Sequence, residues 1–504
     1  MTKHKKNNYD VIIAGAGFAG SLTALILHHR GLKVCLIEKD KHPRFAIGES
    51  STPVADMILR SLSGKYGLPW LYEFSRYGSW QQAHPEIICG IKRGFSFFKH
   101  YPGKEFFTDQ DHSNELLVAA SSNDTLSDTN WLRADVDAFL VNKVKEAGIH
   151  YLDGTAIVAG IQNEHWEFQI LRAGEDRIMQ ASFFVDATGS GNLLQRLLGV
   201  PSSSDEFQTN SFAVFSHFHH VPRWTALLQK AGLAAVDFPY DPDFSALHQI
   251  LDEGWIWMLR FNNELTSMGF VLDNKSGFYD QVPTEKIWNG LLQQYPSVQQ
   301  IFQGAVVANP PGKIIRTQRL QRKISQCYGR GWVALPHTAG FVDPMFSSGI
   351  ALTLSGLEKI VHAISEYWDD ELILQQQLQL YERAFFQELQ LMDYLIAGCY
   401  QTMAHFPLFN AWSMLYFTFT IMYEQKRLKG LPVTHFLEAD NPEVKKMVQA
   451  TYEDLLQITK RKIISQKNID RFTDTIRERI KPYNIAGLLN LSSKNMYKHT
   501  VAKL

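Results

Sequence analysis

The chain has 504 residues, of which 45% are hydrophobic, and its formal net charge at pH 7 is -1. This length exceeds one ordinary hydrophobic core, so we expect two or more domains, or one large domain with additions. The near-neutral charge gives no reason to expect a nucleic acid or an anionic membrane as a partner. The four cysteines, at positions 35, 89, 327 and 399, form no CxxC pair and no cluster with histidine. We therefore expect no metal site and no disulfide framework, and a reducing cytoplasm as the location.

The first forty residues have the pattern of a βαβ unit. Residues 9–14 and 33–38 are apolar runs typical of strands, and 21–29 are helical in pattern. The turn between strand and helix reads Gly15-Ala16-Gly17-Phe18-Ala19-Gly20. Its glycines permit a tight turn, close approach of a pyrophosphate and close helix packing, and Glu38 is placed to bind a ribose hydroxyl. The sequence predicts a dinucleotide site here, the alternative being a chance glycine cluster in a turn.

The middle of the chain is rich in predicted strands, and the part after about residue 360 has long helical patterns. A helix is predicted over 135–147, and helical periodicity with few glycines covers 371–397. Residues 406–423 carry no charge and contain many aromatic side chains. We expect a buried or lid-forming helix here. A membrane anchor is the alternative, because the stretch just reaches the length of a spanning helix.

Residues 341–349 form a turn that opens into a helix. They read Phe-Val-Asp-Pro-Met-Phe-Ser-Ser-Gly, and the apolar helical pattern begins at Ile350. Backbone N–H groups at a helix start have no partner within the helix and attract anions. A monatomic anion needs only convergent N–H groups, and a glycine leaves room for its approach. The turn therefore predicts a small anion held close to the dinucleotide.

A second segment indicates which dinucleotide is bound. The run Val185-Asp186-Ala187-Thr188-Gly189 resembles the second FAD segment of the hydroxybenzoate-hydroxylase-type flavoproteins, and Arg133 lies where that superfamily often places a flavin-contacting arginine. The resemblance implies FAD as the cofactor. It also implies an α/β fold, with a Rossmann-type βαβ unit, a substrate-side β-sheet and a C-terminal helical region. The alternatives are a surface salt bridge for Arg133 and a strand-end turn residue for Asp186.

One position departs from this superfamily. Many members carry Gly-Asp after the strand near 331–335, where the aspartate contacts the ribityl chain of the flavin. This chain reads Pro336-His337 instead, and Asp343 is the acidic residue nearby in sequence. We therefore expect Asp343 among the cofactor-binding residues.

The spacing Phe-x-x-Pro-x-x-Ser-x-Gly over 341–349 resembles the signature of flavin-dependent halogenases. The resemblance implies that halide binds at Ser348 and Gly349, that Ile350 contacts the cofactor, and that Pro344 borders the substrate chamber. A flavin-contacting turn without halide is the alternative. Residues 44–53 resemble the family's strap between flavin and substrate, which places Arg44, Glu49 and Ser50 beside the cofactor.

Two further places carry this resemblance. Cys89-Gly90-Ile91-Lys92 places the family's essential lysine at Lys92, and the phenylalanines after it would desolvate the amine and lower its pKa. The alternative is a solvated surface lysine. Trp255 and Trp257 match the tryptophan pair that separates substrate from flavin, although Leu259 and Arg260 replace the usual Ile-Pro. Their alternative is ordinary core packing.

These resemblances imply a phenol-type halogenase. It would use reduced FAD, oxygen and chloride or bromide to make hypohalous acid, which Lys92 directs onto an electron-rich phenolic ring. No second glycine fingerprint for a nicotinamide coenzyme is present, so a separate flavin reductase is the implied partner. Glu49 and His217 are interpreted as structural rather than as a general base. The rivals are an FAD-dependent aromatic hydroxylase, a prenyl-type reductase and a non-catalytic flavoprotein.

The resemblance also implies the domain boundaries. Residues 1–360 would form the halogenase core, with FAD-binding parts at about 1–60, 130–200 and 320–360 and a substrate-side sheet at about 200–320. Residues 361–504 would form the helical region.

Overall fold

The computed structural model describes residues 7–189, 192–202, 204–233 and 237–498. Its first strands are β1 (Asn7–Ala14), β2 (Val34–Ile37), β3 (Cys89–Lys92), β4 (Gly94–Lys99), β5 (Glu115–Ala119), β6 (Asp128–Trp131), β7 (His150–Leu152), β8 (Thr155–Gln162), β9 (Trp166–Arg172), β10 (Glu175–Asp186) and β11 (Ser211–His219). The later strands are β12 (Ala246–Ile250), β13 (Gly254–Arg260), β14 (Thr266–Asp273), β15 (Val306–Val307), β16 (Ile315–Arg316), β17 (Arg322–Lys323), β18 (Tyr328–Gly329), β19 (Trp332–Ala334), β20 (Gly340–Phe341) and β21 (Met496–Tyr497).

The helices before residue 340 are α1 (Phe18–His29), α2 (Pro53–Tyr66), α3 (Pro69–Glu73), α4 (Tyr77–Ala83), α5 (Arg133–Glu146), α6 (Asn192–Leu198), α7 (Trp224–Lys230), α8 (Thr284–Gln294), α9 (Pro296–Ile301) and α10 (Pro336–Ala339). Those after it are α11 (Ser348–Tyr367), α12 (Glu371–Thr402), α13 (Phe406–Leu428), α14 (Pro442–Thr459) and α15 (Gln466–Ile480).

The first sheet contains the predicted βαβ unit. Among the described residues its main path runs β18-β19-β10-β1-β2-β7, and β1 is parallel to both β10 and β2. The register pairs Ala14 with Asp186 at the carboxyl ends of β1 and β10. Because the carboxyl ends of parallel strands share one edge, the glycine turn after β1 and the segment after β10 meet at the same place.

The second sheet is mostly antiparallel. In the described part of the chain its main path runs β15-β11-β14-β13-β12-β4-β5-β21. The predicted substrate-side sheet covered about residues 200–320. The observed sheet contains strands from this range and also β4, β5 and β21, which lie outside it. The tryptophan pair lies on β13, and Lys92 lies on β3, which pairs with β6 beside this sheet.

Helices form most of the chain after residue 347, and β21 then returns to pair in parallel with β5. Helix α13 is apolar nearly all round and almost every residue from Phe406 to Glu424 is buried, as expected for a helix inside the protein. Gly398 allows its close packing on α12, because a Cβ there would overlap the indole of Trp412. Over the described residues, no helix combines the length and hydropathy that crossing a membrane requires. The buried helix predicted over 406–423 is thus what the structure contains.

Candidate active site

The glycine turn after β1 leaves space that only glycine provides. Gly15 has a φ of +101°, in the region that favours glycine. A Cβ on Gly20 would overlap the carbonyl oxygen of Gly15, and one on Gly15 would overlap the backbone of Ala187. The turn therefore packs α1 and the segment after β10 closely together, while Gly17 and Ala19 stay partly exposed at its surface.

Glu38 lies beside this turn, as predicted. Its Oε2 accepts a hydrogen bond from the Ala16 N–H at 2.9 Å, and its Oε1 accepts one from the Asp40 N–H at 3.1 Å. The guanidinium of Arg44 lies 3.4 Å from Oε2. The carboxylate at the end of β2 is therefore fixed against the glycine turn, where a ribose hydroxyl would meet it.

Arg133 holds the strap, residues 44–53, against the glycine turn. Its Nη1 donates to the carbonyls of Ile47 and Gly48 at 3.0 and 3.2 Å, and its Nε and Nη2 donate to the carboxylate of Asp137 at 3.0 and 2.9 Å. The same carboxylate accepts the N–H of Phe18 at 3.1 Å. Arg133 is thus a buried clamp rather than the surface salt bridge that the sequence left open.

The segment after β10 forms the second wall of the cleft. Asp186 accepts hydrogen bonds from the N–H and the hydroxyl of Thr188, while its Oδ2 is buried without a partner among the described residues. Burial raises the pKa of Asp186 to about 6. Gly189 donates to Thr338 Oγ1 at 2.9 Å, and a Cβ on it would lie 3.3 Å from the His337 ring. His337, the residue that replaces the usual aspartate, is exposed at this point.

The predicted anion turn leads into α11, which begins at Ser348, two residues before the predicted start. Pro344 accepts the Ser347 N–H at 2.9 Å, and Ser347 has a φ of 52° and gives the helix no side-chain cap. The N–H groups of the first turn therefore depend on other partners. A Cβ on Gly349 would approach nothing closer than Phe341, at 3.8 Å, so this glycine leaves open space.

Asp343 faces the protein interior. Its carboxylate accepts hydrogen bonds from Ser211 Oγ at 2.7 Å, Tyr400 OH at 2.8 Å and the Met345 N–H at 3.1 Å. Burial raises its pKa to about 6, and these hydrogen bonds oppose the rise. Asp343 therefore fixes the turn from within, and its predicted cofactor contact stays a prediction.

Trp255 and Trp257 lie on one face of β13, with ring centroids 6.3 Å apart. Trp255 Nε1 donates to Tyr400 OH at 3.2 Å, and Trp257 Nε1 donates to Ser267 Oγ at 3.0 Å. Because Tyr400 also donates to Asp343, Trp255 and the anion turn are joined by one buried hydrogen-bond chain.

Lys92 is fully buried, which excludes the solvated surface lysine that the sequence left open. Its Nζ donates to the carbonyl of Ser51 in the strap at 2.6 Å and lies 4.1 Å from the centroid of the Phe95 ring. Burial lowers the pKa of Lys92 to about 8, and the nearby carboxyl groups of Asp128 and Asp56 oppose this effect. The amine thus lies between the strap and the ring of Phe95. This agrees with the prediction that the phenylalanines following Lys92 in sequence would shield it from water.

Several groups around Lys92 were not identified from the sequence. Asp56 on α2, Asp128 on β6 and Glu424 on α13 are all buried near it. His248 on β12 also faces it, 5.0 Å from Trp255, and burial lowers the pKa of His248 to about 3. No pattern in the sequence indicated them, because Asp128 reaches Lys92 through the pairing of β3 with β6 and the other groups through the packing of separate helices and strands.

Helix α13 covers the space between Lys92 and the anion turn. Tyr416 stacks on Phe346 with centroids 4.0 Å apart, and Phe417 packs against Phe95 at 5.5 Å. A cavity of about 20 Å³ remains beside these rings, and Glu424 lines it. This volume suits about one water molecule. An aromatic molecule therefore enters this cavity only if the side chains around it move.

Glu49 and His217 contact each other. Glu49 Oε1 lies 2.8 Å from His217 Nε2, and both side chains are buried. Glu49 also accepts the Trp131 N–H through its backbone carbonyl at 2.5 Å, which aligns the strap with β6. Ser50 follows in a bridge to Asn130. Contacts from Glu49 and Ser50 to the cofactor stay predictions.

The cleft between the glycine turn, the strap and α10 suits FAD. The glycine turn keeps free the space that side chains would fill, and Glu38, Arg44 and Arg133 surround it with hydrogen-bonding groups. Ser50 Oγ, Arg44 Nε and Asp186 Oδ2 are buried polar atoms without partners among the described residues. Buried polar atoms are normally satisfied, so these fit a polar ligand.

A family model for tryptophan halogenase matches residues 10–64 and 130–406. The chain belongs to the tryptophan halogenase family. Among curated proteins it is 26% identical to tetracycline 7-halogenase of Kitasatospora aureofaciens, over 86% of this chain and 77% of that one. It is also 26% identical to monodechloroaminopyrrolnitrin halogenase PrnC of Pseudomonas fluorescens, over 83% of this chain and 72% of that one.

Solved structures show the same fold. The crystal structure of halogenase PltM in complex with phloroglucinol and FAD matches with a TM-score of 0.85 and 24% identity, covering 97% of this chain and 99% of that chain. The chondrochloren halogenase CndH matches with a TM-score of 0.62 and 17% identity, over 94% of this chain and 97% of that one.

These comparisons confirm the predicted fold class and the predicted flavin-dependent halogenase with FAD as cofactor. They therefore favour the halogenase over the aromatic hydroxylase, the prenyl-type reductase and the non-catalytic flavoprotein. The domain boundaries and the roles of individual residues stay predictions.

Proposed function

We propose that this enzyme halogenates an electron-rich phenolic ring, with hypohalous acid directed by Lys92. The observation that carries the proposal is the position of Lys92, which is fully buried, hydrogen-bonded to the strap and in contact with Phe95. A solvent-exposed lysine would react with electrophilic halogen without any control over where the halogen goes next. A buried lysine holds the electrophilic halogen at one fixed position.

Bound FAD, in its reduced form with oxygen, supplies the oxidising power for the reaction. The first turn of α11 offers the N–H groups of Ser348 and Gly349 to chloride or bromide, and α11 contributes its positive dipole end. Ile350 and Pro344 border this anion site on either side of the turn.

Trp255 and Trp257 stand between this turn and the substrate side, so only a small species passes toward Lys92. The Lys92 ammonium can donate a hydrogen bond to hypohalous acid, and the neutral amine can capture the halogen. A pKa near 8 makes both forms accessible near neutral pH. The ring then exchanges one C–H bond for a carbon–halogen bond, and the ring proton leaves with the hydroxide of the hypohalous acid as water.

A phenolic substrate is supported by the fold shared with PltM, whose structure holds phloroglucinol. The aromatic walls formed by Phe95 and Phe417 suit a flat ring. We also infer that reduced FAD comes from a separate flavin reductase, because the sequence has no second dinucleotide fingerprint.

The test is incubation with FAD, a flavin reductase, NADH, oxygen and bromide or chloride against a panel of phenols, followed by mass spectrometry. We expect products with a halogen isotope pattern that disappears in Lys92→Met. The matched control is Lys99→Met, which replaces another buried lysine, one paired with Asp252, and should keep the products. Hydroxylated products that persist in Lys92→Met would overturn the proposal.

A further inference from the structure

Two buried carboxyl groups lie near Lys92, and no described residue donates a hydrogen bond to either of them. Asp56 stands in the first turn of α2 and Asp128 stands on β6, and each is 1% exposed. None of their four carboxyl oxygens receives a hydrogen bond from an N–H or O–H group of the described residues. Four buried oxygens without hydrogen bonds are strongly unfavourable if both groups are ionised.

The fold brings the two carboxyl groups close together, because Ser51 exchanges hydrogen bonds with Thr129, the neighbour of Asp128, and α2 with Asp56 begins two residues after Ser51. Two carboxylates at this place would repel each other, whereas a carboxylic acid can donate a hydrogen bond to a carboxylate, so one shared proton would relieve both the repulsion and the missing hydrogen bonds. Burial and the neighbouring carboxyl raise the pKa of Asp56 well above its usual range, and burial raises that of Asp128 to about 6. Both shifts favour a pair that retains one proton between its two carboxyl groups.

The pairing of β3 with β6 places Asp128 next to Lys92. Lys92 and Asp128 are directly opposite each other in the antiparallel pairing of β3 with β6, so their side chains share one face. The Lys92 Nζ donates to the Ser51 carbonyl and not to the carboxyl groups. The negative charge therefore acts on the ammonium through space, in a region from which water is excluded.

Other ionisable groups on the surrounding helices and strands also lie near Lys92 and the two aspartates. They are Arg60 on α2, His248 on β12 and Glu424 on α13. Burial lowers the pKa of His248 to about 3 and raises the pKa of Glu424 well above its usual range, and Glu424 favours a charged Lys92 less than the two aspartates do. Arg60 is a further cation, bonded to Ser75. The Asp56–Asp128 pair is thus the stronger of the negative influences that favour a charged Lys92.

We propose that Asp56 and Asp128 act as positioning residues that share one proton and provide the single negative charge that keeps Lys92 protonated. This proposal rests on the proposed function only in linking that charge to halogenation. The effect on Lys92 itself is separate from catalysis. Replacing either aspartate by asparagine imitates the protonated partner and leaves one charge, whereas replacing both removes it.

The test compares Asp56→Asn, Asp128→Asn and the double variant. The titration of Lys92 is followed by NMR on protein with ¹³C-labelled lysine, assigned with Lys92→Met. An opposite charge at this range shifts a pKa by about 1–3 units. We therefore expect the Lys92 midpoint to fall by about one pH unit or more in the double variant and by clearly less in each single one. An unchanged midpoint in the double variant would overturn the proposal.

The pH–rate profile of halogenation gives the functional reading. The part of this profile that reflects the titration of Lys92 should shift to lower pH in the double variant, by the same number of pH units as the NMR midpoint. If the wild type halogenates nothing, the proposed function fails, while the NMR titration still decides the charge coupling. Should the double variant not fold, infrared spectroscopy of the wild type decides. A protonated carboxyl band at neutral pH that Asp56→Asn removes supports the shared proton, and its absence refutes it.

Discussion

Replacing Gly349 by alanine should weaken halide binding without lowering the stability of the fold. The added Cβ would lie 3.8 Å from the Phe341 ring, an ordinary van der Waals distance, so no neighbour has to move. It would nevertheless occupy the open space in front of the first N–H groups of α11. The change therefore acts on whatever approaches these groups and not on packing.

The expected magnitudes follow from this geometry. Alanine is a better helix former than glycine by about 1 kcal/mol, so stability should stay the same or rise slightly. A hydrogen bond to a charged partner is worth about 1.5–3 kcal/mol, which corresponds to about 10- to 150-fold in affinity. Loss of one such bond to the anion should therefore raise the KM for halide at least about tenfold.

The assay measures halogenation rate against chloride or bromide concentration, together with urea unfolding of the FAD-loaded protein. The matched control is Gly290→Ala in α8, where a Cβ meets only open space. This variant should gain about 1 kcal/mol of stability and keep the halide KM of the wild type. An unchanged halide KM in Gly349→Ala, or a clear loss of its stability, would refute the reasoning.

Three further predictions concern Lys92, the glycine turn and the buried tyrosine. Because the folded pKa of Lys92 is about 8 and the unfolded one 10.5, the unfolded chain binds more protons between them. The free energy of unfolding should therefore rise by about 2 kcal/mol from about pH 7.5 to 9.5, relative to Lys92→Met, in urea titrations. Gly20→Ala should abolish FAD binding measured by flavin fluorescence, since its Cβ overlaps backbone; full retention would contradict this. Tyr400→Phe should lower stability by about 2 kcal/mol, because Trp255 and Asp343 lose a buried partner; thermal unfolding equal to wild type would argue against the network.

The parts of the site that the sequence predicted are those defined by local backbone chemistry. The glycine turn after β1 and the turn before α11 each need particular residue types at fixed spacing, so both are readable without a structure. Glu38 followed from its place at the end of a strand. Lys92 was readable because the phenylalanines that bury it are its neighbours along the chain.

The parts that escaped prediction depend on contacts between distant segments. Asp56 and Asp128 are 72 residues apart and come together only because the strap brings the start of α2 against β6. Glu424 reaches the same place from a C-terminal helix. Asp343 was expected at the cofactor because of its place in sequence. Its orientation toward Tyr400 depends on α12, which no local pattern specifies.

Given the proposed sites, we expect the stacking of Tyr416 on Phe346 to make binding of the aromatic substrate and binding of halide depend on each other. An aromatic ring that displaces Tyr416 also uncovers the segment that precedes the first turn of α11, so its binding changes the surroundings of the anion. Linkage is reciprocal, so halide must alter the affinity for the aromatic by the same factor. Double-reciprocal plots of the halogenation rate against halide, at several concentrations of the aromatic substrate, should therefore intersect off the horizontal axis, whereas independent sites would give an intersection on it. Aromatic substrates of different size should also give different halide affinities.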